Sequence, residues 1–534
     1  MDSPLCFVVY CKSENFYYTV NRMFNLKTFR TAVLSIFLCI FVASYVYVCN
    51  RELKECMGVA ILPDTTEYTE YVYEDFADHI THFGTPAAVD KTTNTIYISQ
   101  NFDKNTEYVD FEGALWLDKA GYTMYFAPDE KFADIASAAA EGHPFRLIVT
   151  DGSHRYMEYS VVFTSLPVIS IKGELSYLRD SEEEGGLPTE IFAGNMDVWT
   201  PYDKEVMAYS TKSSALEWHV RGHSAALHDK KPWKLALKDN NGENSNLNLF
   251  GLGADDDWIV NAIAYDHTRI REKLFIGLWN EMAEETDYNT KMNDGQYAEV
   301  IMNGEYQGLY LVQRRIDDKW LGLSEHDILL KGARTYEPQY VYKAYNIVHT
   351  NLDHDYVYLL MENIFNRSDM TSFDVNNFID TNLFIQFAYA RDNRLYNNTY
   401  FTLYSGVNGY RTVMTMWDTD ISFGKASVSV YNLDSTVYTP MEREDTDAIR
   451  AIYPEYDKMA LERWQYLRST VLTEENIAAH TDRIMGEITR TGSLARDHAK
   501  WNITSEDSDN LEGLNSFIEL RLPWLDDLFA QAAQ

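Results

Sequence analysis

The chain has 534 residues, more than a single hydrophobic core usually holds, so we expect two to four domains. Its composition, 46% hydrophobic and 14% aromatic, is typical of a globular protein. The formal net charge is −35, and the acidic surplus lies beyond residue 56. An acidic surface of this kind repels phosphate backbones, which excludes nucleic acid as a general partner, and it suits cationic partners and metal ions.

An uncharged stretch, AVLSIFLCIFVASYVYVC, occupies residues 32–49. A helix of this length spans roughly 27 Å, enough for the hydrocarbon core of a bilayer. Because four basic residues precede the stretch and two follow it closely, the positive-inside rule places residues 1–31 in the cytoplasm. A cleaved signal peptide is the alternative, but the long preceding segment and the lack of a small-x-small site favour an anchor. The sequence predicts a single-pass membrane protein whose bulk lies at the cell surface.

The cysteines are confined to the N-terminal part of the chain. All five, Cys6, Cys11, Cys39, Cys49 and Cys56, fall within the first 56 residues. Their absence from the rest of the sequence excludes a disulfide framework, thiol catalysis and a cysteine zinc site there. A cysteine-free exported domain is compatible with a bacterial cell surface.

Two regions follow the predicted anchor. Residues 57–165 contain short alternating strands separated by Gly, Asp and Asn, which predicts a small all-β, sandwich-like module. Residues 166–534 mix strands with helices, and helical spacing of apolar residues begins near residue 455. We therefore expect an α+β fold in which the second region ends in helices.

A β-hairpin is predicted between residues 399 and 416. Two β-rich runs, TYFTLY and YRTVMTM, flank SGVNG, and the Asn-Gly pair at 408 and 409 is a strong turn signal. Antiparallel pairing would bring Asn397 and Asn398, before the first strand, opposite Asp418, after the second. Carboxylate and amide oxygens are ligands that suit Mg²⁺, so we expect a site for this ion at the open end of the hairpin.

The stretch RDNRLYN, just before the hairpin, places Asn397 five positions after Asp392. The catalytic loops of protein kinases have the same interval, with the aspartate accepting the hydroxyl proton and the asparagine holding metal. Asp418 and Asp420, in WDTDISFG, would then be metal-binding acids. The alternative is a solvated turn in which these side chains cap backbone groups.

Four blocks of sequence share the pattern of one family. They are residues 220–237, 249–282 and 300–317, and the segments RDNRLYNNTYFTLY and MWDTDISFG taken together. With these blocks the chain resembles the CotH kinase family, atypical kinase-like proteins named for spore coat protein H, over about residues 166–530. The resemblance implies an atypical protein-kinase-like core with C-terminal helices, Mg²⁺ as cofactor and ATP as phosphate donor.

The resemblance also assigns roles to individual positions. It makes Asp392 the catalytic aspartate, and Asn397, Asp418 and Asp420 the metal ligands. As nucleotide-binding residues it implies Lys231, Lys234, Arg271 and Gln313, with packing or salt bridges as the alternative role for the basic ones. Two positions depart from the family pattern: His223 replaces an asparagine, and Gln313 replaces a glutamate that could hold a phosphate-binding lysine.

The sequence thus predicts an exported, membrane-anchored kinase that transfers the γ-phosphate of ATP to hydroxyls of surface or coat proteins. The alternative is a catalytically weak or inactive surface protein that keeps this fold and binds a protein or polysaccharide.

The sequence contains no G-x-S-x-G motif, no P-loop, and no glycine-rich kinase loop followed by V-A-I-K. Serine hydrolases, P-loop enzymes and conventional protein kinases are therefore excluded.

Overall fold

The computed structural model describes residues 69–532, with gaps at 72–75, 83, 102–114, 118–120, 128–139, 152, 181–187, 223–224, 333–344, 366–369, 394, 396, 426–442 and 505–508. In this part of the chain, no helix has both the length and the apolar character needed to cross a membrane. The anchor predicted at residues 32–49 lies outside the described residues and stays a prediction.

Short strands dominate the N-terminal part of the described chain. They are β1 (Thr69–Glu70), β2 (Ile80–His82), β3 (Thr85–Pro86), β4 (Ala88–Asp90), β5 (Thr95–Ser99), β6 (Leu115–Leu117), β7 (Thr123–Ala127), β8 (Phe145–Thr150) and β9 (Arg155–Thr164). One sheet has the order β4-β5-β9-β8-β7 with β1 beside β9, and a second has the order β3-β2-β6. Ile80 and Leu115 of the small sheet share a core with Ile96, Leu147 and Val161 of the large one. The predicted strand-rich character is confirmed for the described residues, whereas the domain boundary at residue 165 stays a prediction.

A closed barrel of seven strands follows. Its strands are β10 (Val168–Arg179), β11 (Thr189–Asp203), β12 (Ala208–Val220), β13 (Trp233–Lys238), β16 (Asp257–Asn261), β17 (Gly295–Met302) and β18 (Glu305–Arg314), while β14 (Leu247–Asn248) and β15 (Ala254–Asp255) pair separately. The order is β10-β11-β12-β13-β16-β18-β17, and the parallel pairing of β10 with β17 closes the barrel. Leu235 and Leu237 of β13 pack in the interior with Trp218 and Tyr310. Because side chains alternate along a strand, Lys234 faces the opposite side.

The remaining elements are a second sheet and the helices. The sheet contains β19 (Ile328–Gly332), β20 (Tyr345–His349), β21 (Thr399–Gly406) and β22 (Gly409–Met416), in the order β20-β19-β21-β22. The helices are α1 (Arg271–Glu284), α2 (Asp318–Leu321), α3 (His354–Phe365), α4 (Val375–Ala388), α5 (Arg443–Ile452), α6 (Tyr456–Ser469), α7 (Glu474–Thr489), α8 (Ser493–Lys500) and α9 (Leu511–Ala532). Trp279 of α1, Phe384 of α4, Trp464 of α6 and Leu522 of α9 lie in one core. The observed fold is therefore a mixed α+β fold, as predicted.

Helix α4 leads directly into the segment that carries Asp392. The carboxylate of Asp374 caps its first turn by accepting hydrogen bonds from the main-chain N–H groups of Asn376 and Asn377. The helix is apolar and buried almost all round, which fixes its position in the core. It ends at Tyr389, whose left-handed backbone (φ 52°) turns the chain out of the helix and into residues 390–398.

The hairpin predicted between residues 399 and 416 is present as β21 and β22. Their register runs from Thr399 opposite Met416 to Gly406 opposite Gly409. The two-residue turn is formed by Val407 and Asn408, followed by Gly409 with φ 109°. The residues that flank the open end of the hairpin are therefore neighbours in space, as the sequence predicts.

Candidate active site

A cleft of about 270 Å³ lies where the barrel meets the second sheet. The barrel side contributes Arg221, Gly222, Ala225, Pro232 and the segment from Asn261 to Tyr265, and the sheet side contributes Lys331, Gly332, Asn346, Asp392, Asn397, Asn398, Trp417, Asp418, Asp420 and Ile421. All four residues predicted to be catalytic or metal-binding thus line one cleft. The structure brings together Asp392, Asn397, Asp418 and Asp420, as the hairpin argument requires.

Backbone hydrogen bonds tie the loop before the hairpin to the segment after it. The main-chain N–H of Trp417 donates to the carbonyl of Asn398 at 2.9 Å. The side-chain amide of Asn393 donates to the carbonyls of Asn398 and Trp417, at 2.9 and 2.8 Å. Asn393 is 2% exposed, so these bonds are shielded from water and hold the two segments at a fixed separation.

Two asparagine amides hold the carboxylate of Asp392. Nδ2 of Asn397 donates to Oδ1 at 3.0 Å and to the Asp392 carbonyl at 2.6 Å, and Nδ2 of Asn398 donates to Oδ2 at 3.1 Å. Because Asn397 uses its nitrogen on Asp392, its amide oxygen is the atom able to act as a metal ligand. The arrangement orients a carboxylate as a general base beside a potential metal site.

Asp420, the second acid after the hairpin, lies in surroundings that disfavour its negative charge. Burial raises the pKa of Asp420 well above its ordinary value, and the nearby Asp418 and Glu272 raise this pKa further. Asp418 itself has a left-handed backbone, φ 59°, as do Asn398 (50°) and Ile263 (46°), which also line the cleft. Strained backbone clusters at functional sites because the surrounding structure must hold it in place.

A divalent cation would relieve this concentration of carboxylates. No group of three or more His, Cys, Asp or Glu side chains in a metal-binding arrangement occurs among the described residues. The cleft instead offers the carboxylates of Asp418 and Asp420 and the amide oxygen of Asn397. Mg²⁺ is typically bound by only a few protein oxygens, and water and substrate phosphates complete its coordination. Three oxygen-donating side chains in this cleft match that pattern. The donor set fits the predicted ion.

Glu272, in the first turn of α1, is a buried acid behind the cleft that the sequence analysis did not single out. Its carboxylate accepts from Nδ2 of Asn261 at 2.8 Å and from Nε2 of Gln313 at 3.2 Å. Burial, followed by the charge of Asp418, raises the pKa of Glu272 to about 8. Gln313 is fully buried and does not line the cleft, so any role it has in the site acts through Glu272.

The basic residues predicted to contact nucleotide also lie outside the cleft lining. Nζ of Lys231 donates to the carbonyl of Ala226 at 2.9 Å, and Lys234 forms an ion pair with Asp257 at 3.0 Å. Arg271 is buried and pairs with Asp266 and, at 2.7 Å, with Asp509. The structure therefore does not bring these residues to the acids, and their nucleotide role stays a prediction. His223 lies outside the described residues.

Two cations that the sequence analysis missed do line the cleft. Lys331 projects from β19 and Arg221 from the end of β12. Burial, followed by the charge of Arg221, lowers the pKa of Lys331 to about 8, and Asp418 opposes the shift. The guanidinium of Arg221 lies over the ring of Trp417, 5.5 Å from its centroid. A strand position after an apolar run is the only sequence signal that Lys331 carries.

Comparison with known families supports the resemblance. The profile described as CotH kinase protein matches residues 218–525. The chain belongs to the CotH kinase family. The match begins at the end of β12, later than the predicted start near residue 166, and it contains every residue of the cleft. No curated protein matches the chain.

Proposed function

We propose that this member of the CotH kinase family is a Mg²⁺-dependent protein kinase that uses ATP at the cleft between the barrel and the second sheet. The observation that carries the proposal is the convergence of Asp392, Asn397, Asp418 and Asp420 on one cleft. A kinase-like core, with a strand-rich unit on one side of the nucleotide and a largely helical unit on the other, is part of the proposal. The cleft also has an apolar wall suited to the adenine ring of ATP, formed by Ala225, Pro232 and Ile263.

In this proposal Asp392, oriented by two amides, takes the proton of the acceptor hydroxyl as its oxygen attacks the γ-phosphorus. The bond to the bridging oxygen breaks and ADP leaves. Mg²⁺, held by Asp418, Asp420 and the amide oxygen of Asn397, would neutralise charge on the phosphates. Positioning and charge neutralisation account for most of the catalysis in phosphoryl transfer.

The test is phosphate transfer from γ-labelled ATP by the full chain, to itself or to co-exported proteins, with Mg²⁺ or with EDTA. We expect transfer that needs Mg²⁺ and that Asp392→Asn lowers by about 10²–10⁴-fold. Asp447→Asn is the matched control, because this side chain is 57% exposed on α5. Transfer that survives in Asp392→Asn would exclude this site as its source.

A second candidate is a surface protein that keeps the fold but binds a protein or polysaccharide. The observation in its favour is that Lys231 and Lys234 are engaged with other groups outside the cleft. A Mg²⁺-dependent thermal shift with ATP distinguishes the two, because only the kinase requires it.

The location of the substrates rests on the anchor predicted at residues 32–49. We propose that the chain faces the cell exterior and acts on exported proteins. Protease added to intact cells should then remove the chain beyond the anchor and spare the N-terminal stub. Protection of the large C-terminal part would contradict this orientation.

A further inference from the structure

We propose that Lys331 and Arg221 form an anion subsite that contacts the phosphates of a magnesium-bound nucleoside di- or triphosphate, in place of the lysines that the sequence indicated. The inference rests on the proposed function and names the residues that would hold the phosphates. It follows from the position of the two cations in the cleft and from the absence, among the described residues, of an ion pair with either of them.

Lys331 is half-buried, and in the described part of the chain its charge is favoured by Asp418 without an ion pair. Its ammonium lies 5.4 Å from the ring centroid of Tyr400, and among the described residues it forms no ion pair or side-chain hydrogen bond. Two lysines that are more deeply buried have an acidic partner: Lys230 pairs with Asp497 and Lys425 with Asp509, both at 2.7 Å. Removing a charge from water is costly unless it is paired, and Lys331 is removed from water in part, so an anionic ligand in the cleft would stabilise it.

Arg221 is also half-buried in the lining of the cleft. Within the described part of the chain its guanidinium stacks on Trp417 but meets no carboxylate. Arg269 and Arg314, by contrast, each have a carboxylate partner, Asp497 and Asp255, at 2.8 Å. A guanidinium presents a planar fork of donors that matches phosphate, and it keeps this capacity while it stacks on an aromatic ring.

The acids in the same cleft identify the class of anion. A simple carboxylate or an acidic peptide would be repelled by Asp392, Asp418 and Asp420. Phosphates that carry Mg²⁺ would not, because the acids would hold the metal while Lys331 and Arg221 would contact the remaining phosphate oxygens. Two cations and a set of metal-binding acids in one cleft of about 270 Å³ therefore fit a magnesium-bound polyphosphate best.

The experiment measures binding by calorimetry, using the full chain and its Lys331→Gln and Arg221→Gln variants. Glutamine keeps most of the side-chain volume, and a Lys331→Arg variant tests whether a positive charge restores binding. Lys238→Gln is the matched control, since this lysine lies on β13 outside the cleft and bonds Asn244 at 2.8 Å. The probes are Mg-ATP, Mg-tripolyphosphate and adenosine.

We expect Lys331→Gln and Arg221→Gln each to weaken binding of Mg-ATP and Mg-tripolyphosphate by about tenfold to a hundredfold, the usual effect of losing a charged hydrogen bond. Both variants should bind adenosine as the wild type does, and Lys238→Gln should bind all three probes as the wild type does. Unaltered binding of Mg-ATP by Lys331→Gln, or an equal loss of adenosine binding, would overturn the subsite.

The same measurements, together with the transfer assay, separate the subsite from the proposed kinase activity. If the wild type binds Mg-ATP through Lys331 but transfers no phosphate in the assay with labelled ATP, the subsite stands and the kinase proposal fails. If it binds Mg-ATP and the Lys331 variant does so equally well, the kinase proposal stands and the subsite fails. Binding of none of the probes by the wild type contradicts both.

Discussion

Nδ2 of Asn397 donates a hydrogen bond of 3.0 Å to Oδ1 of Asp392, across a loop in which the two residues are five positions apart. This single contact joins the proposed base to a proposed metal ligand. The carboxylate of Asp392 is therefore oriented before any substrate arrives, and the metal site shares its geometry. Pre-orientation of this kind reduces the reorganisation that the reaction requires.

Replacing either of the two asparagines that hold Asp392 should lower the rate of phosphate transfer, but only one replacement should change its Mg²⁺ dependence. Asn397→Ala removes both the bond to Asp392 and an amide oxygen for Mg²⁺, so we expect a lower kcat and a higher Mg²⁺ concentration for half-maximal activity. Asn398→Gly removes a bond of 3.1 Å to Oδ2 of Asp392, and glycine adopts the left-handed backbone of this position (φ 50°) without strain. It should lower kcat by about tenfold with unchanged Mg²⁺ dependence, given the usual value of a charged hydrogen bond. Mg²⁺ titrations of phosphate transfer measure both, and equal Mg²⁺ dependence in the two variants would contradict a ligand role for Asn397.

Glu272 should make the metal-free protein sensitive to pH. Its pKa is raised to about 8 in the folded state, so its contribution to stability is present below the unfolded value and is lost as pH rises toward 8. Without Mg²⁺, the Tm of the wild type should therefore fall between pH 5 and pH 8 by more than that of Glu272→Gln. Thermal melting of both proteins at several pH values measures the difference. Parallel Tm profiles would show that Glu272 is ionised over this whole range.

A buried carboxylate outside the cleft should make a large contribution to the free energy of unfolding. Asp497 of α8 pairs with Lys230 at 2.7 Å and Arg269 at 2.8 Å, and it accepts from the main-chain N–H of Leu309 at 2.9 Å. We expect Asp497→Ala to lower the free energy of unfolding by about 3–5 kcal/mol, because it leaves two buried cations uncompensated. Asp447→Ala, at an exposed position, should change it by less than about 0.5 kcal/mol. Denaturant unfolding compares the two, and a similar cost for both would contradict this role.

The parts of the site that could be predicted from the sequence are local. The β-branched and aromatic runs around Asn408 specify a hairpin by themselves, and the hairpin necessarily joins Asn397 to Asp418. Asp392 is five positions from Asn397, so it follows into the same site. Short-range signals of this kind do not depend on the rest of the fold.

The parts that sequence reasoning missed depend on long-range packing. Arg221, Glu272 and Lys331 come from three elements separated by tens of residues, and only closure of the barrel against the second sheet brings them to the acids. The barrel itself closes through the parallel pairing of β10 with β17, such as Val168 opposite Glu299, for which the sequence carries no local signal. The resemblance implies a nucleotide role for Lys234, but its neighbours Leu235 and Leu237 fill the barrel, which turns Lys234 toward Asp257.

The central claim, that the acids at the two ends of the hairpin serve different steps at one site, is tested most directly by comparing Asp392→Asn with Asp420→Asn. Calorimetry with Mg-ATP and transfer of labelled phosphate are measured on the same preparations, with Asp447→Asn as control. We expect Asp392→Asn to bind Mg-ATP like the wild type and to lose transfer, and Asp420→Asn to lose Mg²⁺-dependent binding itself. Equal binding and equal transfer in all the variants would contradict the account.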